Sequence, residues 1–132
     1  MTSREGWHSR LISELHARLQ FLDGYAVIKM NKERSKGPDI QLTTMSAKKK
    51  RINIEVQQFD SGGPWKRKTI PSWKKRHGCC TIVIFTEPTL ERVRKKIEKT
   101  KEYRFFKKPN VMLFAENQLS EIVAIVGMHV IN

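Results

Sequence analysis

The chain is 132 residues long and carries 26 Lys and Arg against 13 Asp and Glu, a formal net charge of +13 with an isoelectric point near 10.1. That length allows one domain, residues 1–132, and 39% hydrophobic residues can fill a modest core. With no run of about eighteen apolar residues and a charged start, MTSREGWHSR, that lacks a signal core, neither a membrane span nor secretion is expected, and the protein reads as intracellular, cytoplasmic or nucleoid-associated.

Taken in chain order, Trp7, Leu11, Ile12, Leu15, Leu19 and Leu22 recur at helical spacing, predicting a helix over about Thr2 to Leu22 that ends at Asp23-Gly24. Tyr25 to Met30 reads as a strand, and NKERSKG after it as a basic loop. Pro38 to Thr44 and Arg51 to Gln57 both alternate polar and apolar residues. They predict a hairpin whose lysine-rich turn spans Ser46 to Arg51, with Ile52, Ile54 and Val56 on one face and Asn53, Glu55 and Gln57 on the other.

Regular signals fade from Gln58 to Gly78, where Gly62-Gly63-Pro64 interrupts and a short helix is expected after Pro71. Cys79 to Thr86 is a nearly continuous apolar run, as in a strand covered on both faces. Glu87-Pro88-Thr89 opens a helix whose stripe is Leu90, Val93, Ile97 and Tyr103. Val111 to Ala115 is a further strand, Gln118 to Val123 a short helix and Ile125 to Ile131 a last strand. This order predicts an α/β fold, a mixed central sheet flanked by helices. Adjacent Cys79 and Cys80 suit reduced packing residues better than a disulfide or zinc site.

The charge excess points to a polyanionic partner, because self-repulsion otherwise only destabilises a compact fold, and Lys and Arg bind nucleic acid by displacing counterions from phosphates. A membrane surface would instead select a basic amphipathic helix, and none is evident. The bland alternative is a charged surface that serves solubility. Lys66, Arg67, Lys68, Lys74, Lys75 and Arg76 are interleaved with Trp65 and Trp73, so this segment is a candidate phosphate-binding surface. The two Trp rings either stack on bases or cover the edge of the core. Lys32, Arg34 and Lys36 precede Asp39 and would guide a phosphate towards it. The turn Lys48 to Arg51 reads as a solvated tip, and His8, His16, His77 and His129 show no metal-ligand spacing.

One constellation can carry chemistry. Asp39 begins a strand, Glu55 and Gln57 share a face of the next, and pairing of the two strands brings both carboxylates to one sheet edge. Two converging carboxylates suit a hydrated Mg²⁺; the competing reading is a turn residue and the polar half of an alternation. Pro38-Asp39 followed by Glu55-Val56-Gln57 resembles the PD-(D/E)XK motif of restriction-endonuclease-like nucleases, and the order of elements from roughly Ser9 to Ala115 is similar to their core. Small size and basicity look nearest to archaeal and viral Holliday-junction resolvases.

The resemblance implies a Mg²⁺-dependent DNA endonuclease, with Mn²⁺ as a substitute, acting on branched or duplex DNA. Asp39 and Glu55 would ligate the metal, Gln57 would orient water, and Glu14 on the first helix would complete the catalytic set. It also makes a second copy of the chain a candidate partner, with Phe105 and Phe106 either at that contact or in the core. Gln57 stands where the family usually has Lys, which Lys66 or Lys68 would have to replace. The alternatives are a catalytically silent nuclease fold that binds DNA in replication or mobile-element maintenance, and an RNA-binding protein of ribosomal type.

Overall fold

A computed structural model describes residues 4–31, 37–60, 62–75 and 80–131. Its centre is a five-stranded mixed sheet in the order β1 (Ala26–Met30), β2 (Ile40–Thr44), β3 (Arg51–Gln57), β4 (Cys80–Phe85), β5 (Val111–Ala115). The first three strands form an antiparallel meander, and β3, β4 and β5 run parallel through helical crossovers.

Alternation in β2 and β3 divides the interior in two. Ile40, Leu42, Ile52, Ile54 and Val56 point to one face, where α1 (Arg4–Arg18), the 3₁₀ turn Leu19–Leu22 and α4 (Leu119–Ile131) pack on them. Asn53, Glu55 and Gln57 point to the other. There α2 (Ile70–Lys75), α3 (Glu87–Ile97) and the 3₁₀ segment Lys101–Lys107 bury Trp65, Trp73, Leu90, Val93, Tyr103, Phe105 and Phe106 against Val83 and Phe85. All six residues of β4 are buried, which its unbroken apolar run requires of a strand sandwiched between both layers. The α1 stripe works as its spacing predicts, with Leu11, Ile12 and Leu15 buried, and Gly24 at φ 94° turns the chain into β1.

Three segments depart from the sequence reading. The predicted last strand over Ile125 to Ile131 is the second half of α4: Leu119, Ile122, Val126 and Val130 are the buried stripe of one helix. A short β-branched run does not distinguish a strand from a buried helix, and packing on α1 decides for the helix. Tyr103 lies on the separate turn Lys101–Lys107, because α3 stops at Ile97. The short helix expected after Pro71 is present as α2, but the stretch before it, expected to be irregular, is helical too, from Gly63 with a π-helical turn over Trp65–Thr69 leading into α2. Pro71 lacks the N–H for an α-type bond to Arg67 and its ring would crowd that carbonyl, so the wider turn accommodates it. Among the described residues no helix is long and apolar enough to cross a membrane.

Candidate carboxylate site and basic layer

Ile40 pairs with Ile54 across the β2–β3 ladder. One step on, the same register sets Asp39 opposite Glu55, where paired side chains start about 5 Å apart. The two residues thus lie at the end of β2 and β3 away from their lysine-rich turn. Two contacts from Asn31 hold the approach to β2: its backbone N–H donates to the Asp39 carbonyl at 2.9 Å, and its side-chain amide to the Pro38 carbonyl at 2.8 Å. Gly37 leaves room for that amide, since a Cβ there would sit 2.7 Å from Asn31 Nδ2.

The Asp39 carboxylate does structural work as well. Its Oδ2 accepts the Val56 backbone N–H at 2.7 Å, and His8 Nε2 of α1 lies 3.3 Å from the same oxygen. Both contacts fall on Oδ2, so Oδ1 carries no hydrogen-bond donor among the described residues. Glu55 is 4% exposed, beside buried Asn53, whose Oδ1 accepts from the Gln41 side chain at 2.9 Å. The second face of the sheet is thus split, polar over β2 and β3 and aromatic over β4 and β5. Gln57, at the end of β3, is half-buried.

Two carboxylates are the number that a hydrated hard cation takes from a protein while it keeps several waters. They do not form a protein cage: among the described residues no group of three or more His, Cys, Asp or Glu side chains is placed to hold a metal.

The structure separates other predicted residues from this point. Glu14 is exposed on α1 and pairs with Arg18 at 3.0 Å. His8, whose spacing from the other histidines marks no metal site, is the α1 side chain that reaches Asp39. No spacing could have announced it, because the contact exists only once α1 packs on the sheet. Lys66, Arg67, Lys68, Lys74 and Lys75 are all exposed, whereas Trp65 and Trp73 are 1% and 4% exposed and are closed to stacking on a ligand. Their rings meet each other at 6.0 Å and pack on Phe85, Phe105 and Phe106, which is the core-edge reading. Phe105 and Phe106 are core as well. Lys32, Arg34, Lys36, Arg76, His77 and Cys79 lie outside the described residues.

The basic residues are distributed unevenly between layers. Beyond the α2 segment, the layer over the second face also exposes Arg92, Arg94, Lys95, Lys99, Lys101, Arg104, Lys107 and Lys108, against Glu87, Glu91, Glu98 and Glu102. On the opposite layer, Gly6 to Tyr25 and Glu116 to Ile131 carry only Arg10 and Arg18 against Glu14, Asp23, Glu116 and Glu121.

Two more polar clusters flank the site. Asp60, beyond β3, has a side chain only 3% exposed; it accepts from Lys96 Nζ at 2.6 Å, the Tyr103 hydroxyl at 2.5 Å and the Gly62 N–H at 2.8 Å. Burial raises its pKa, but those donors and the Lys96 charge outweigh burial and leave it below the ordinary value. Trp7 Nε1 donates to Glu116 at 2.5 Å, tying α1 to the end of β5. A separate cleft of about 610 Å³ lies between α3 and the start of α4, lined by Glu87, Glu91, Arg94 and Gln118 among others, and includes none of the candidate residues.

A scan against protein-family models, a search of curated proteins and a search of solved structures each returned no match.

Proposed function

We propose that the chain is a metal-dependent DNA endonuclease of the PD-(D/E)XK kind, with a restriction-endonuclease-like fold. The observation that carries this reading is the placing of Asp39 opposite Glu55 at one end of β2 and β3, in a chain whose second layer is densely basic. The order helix, meander, crossover helix, strand, helix, strand supports it too.

Asp39 and Glu55 would hold Mg²⁺, or Mn²⁺ in its place, and the ion would lower the pKa of a bound water and stabilise charge on the phosphate. The Val56 amide and His8 hold the Asp39 carboxylate by one oxygen, and the other, without a donor among the described residues, would be the one to take the cation. Gln57 would orient the water through its amide, since it lacks the charge of the usual Lys. The α2 segment and the exposed bases of α3 would track the phosphate backbone and set orientation without reading sequence. The partner is DNA, branched or duplex, and two cuts across a symmetric junction require two copies of the chain.

The test is incubation of labelled four-way junction and linear duplex with Mg²⁺ or Mn²⁺. Wild type should cut at least one of them, and Asp39→Asn should lose cutting by about 10²-fold or more while binding within a few-fold of wild type. Binding without cutting, in wild type and variant alike, would overturn the enzyme reading. It would leave the second one, a silent nuclease fold that binds DNA, which is favoured by Gln57 in the lysine position and by the deep burial of Glu55. Tighter binding to RNA than to either DNA would overturn both.

A further inference from the structure

We propose that the outward stripe of α4, with Phe21 beside it, is the surface through which two copies of this chain pair. The inference gives a place to the two-copy requirement above, and rests on that reading only for its motive.

The residues themselves carry the argument. A helix with few polar residues belongs in an interior, yet α4 packs only one side on α1 and the sheet. Met128 and Ile131 are 63% and 54% exposed, and with Ser120 and Ala124 they form one stripe at helical spacing. Phe21 extends the stripe sideways. Its ring lies against α4 at Gly127, where a Cβ would be 3.4 Å from Phe21 Cζ, yet the side chain remains 54% exposed. The patch is continuous across two elements, and nothing in the chain's described residues covers it.

Charge selects the occupant. Two molecules of charge +13 repel each other on most approaches. The layer of α1 and α4 is the exception, because over Gly6 to Tyr25 and Glu116 to Ile131 its acids outnumber its Lys and Arg. An anionic membrane or a nucleic acid would need bases on this face, which it lacks. A second copy meets an apolar, weakly acidic surface like its own, and the two basic layers then face outward and away from each other. An antiparallel α4 pair around a two-fold axis also opposes the helix dipoles, and it brings the first turn, with Glu121, to the partner's last turn, with His129.

Light scattering and sedimentation equilibrium of the full chain, at physiological and at about 1 M salt, test this. A dimer that persists at high salt is expected, because the contact is apolar. Met128→Glu and Ala124→Arg, both at exposed positions, should each weaken pairing at least about tenfold while far-UV circular dichroism and thermal midpoint stay as in wild type. A wild-type monomer throughout the micromolar range overturns the proposal, and so does a dimer that both variants leave intact. Junction cleavage measured on the same samples separates the two claims. A salt-stable dimer that never cuts defeats the nuclease reading alone, and cutting by a wild-type monomer defeats this one alone.

Discussion

Asp60 shows how one carboxylate can be buried and still ionised. Its oxygens receive a lysine, a phenol and a backbone amide, and together these outweigh the desolvation that would neutralise it. Burial, reinforced by Asp60, pushes the Tyr103 hydroxyl well above its usual value, so Tyr103 stays a donor across the working range. Since the folded pKa of Asp60 lies below the unfolded one, its stabilisation is complete above the unfolded value and falls away as pH drops through the folded value. Unfolding free energies from urea titration of wild type and Asp60→Asn should therefore differ by a constant amount near neutrality, about 1–2 kcal/mol, and the gap should begin to close below about pH 4. Asp39 has a different balance: one oxygen serves the fold through Val56 and His8, and the other has no donor among the described residues. Its position opposite Glu55 was legible in the sequence, because a hairpin and a two-residue period determine which residues share an edge. His8 was not, being joined to Asp39 only by the docking of a helix.

At the scale of elements, α3 begins with a relay of hydroxyls. Thr86 accepts from the Thr89 N–H at 3.4 Å, the two hydroxyls meet at 2.9 Å, and Thr89 donates to the Gln58 carbonyl at 2.6 Å. The cap thus ties α3 to the chain just after Gln57, and a change there acts on helix and site edge together. Thr86→Ala should cost about 1 kcal/mol in denaturant unfolding, with Thr86→Ser near wild type. The start at Glu87-Pro88-Thr89 was readable from its early proline, whereas Thr86, read as the end of the strand, proves to be the cap. The helical stretch from Gly63 to Thr69 was hidden by Gly62-Gly63-Pro64, which read as a breaker, while the short helix after Pro71 was legible. Pro64 sits in the first turn, where its missing N–H costs nothing, and the π-helical turn absorbs Pro71. α4 was hidden for the opposite reason, since its apolar run fits a strand equally well until α1 gives it a partner.

The whole molecule is two-sided. Among the described residues, one layer carries the exposed bases of α2, α3 and the Lys101–Lys107 turn; the other joins a polar α1 surface to the apolar stripe of α4, with slightly more acids than bases. If the basic layer meets phosphates, the triple variant Lys66→Ala, Arg67→Ala, Lys68→Ala should flatten the slope of log binding constant against log salt by roughly one for each phosphate it no longer neutralises. Removing Arg10 and Arg18 from the other layer should leave that slope unchanged. The slopes come from one titration series on a single duplex, and equal flattening in both variants would show that charge number matters more than charge position.

The sequence by itself determined a charge excess suited to a polyanionic partner, the pairing of β2 and β3 as a hairpin, and the arrival of Asp39 and Glu55 at the same edge. Those properties depend on composition and on short-range periodicity, which a linear reading contains. Only the tertiary structure decided that His8 and not Glu14 reaches Asp39, that Trp65 and Trp73 are core, and that, among the described residues, α2, α3 and the Lys101–Lys107 turn gather exposed bases while α4 and Phe21 share an exposed apolar stripe. Each of these depends on which elements pack together, and packing between distant segments is set by the burial of whole faces rather than by any local pattern.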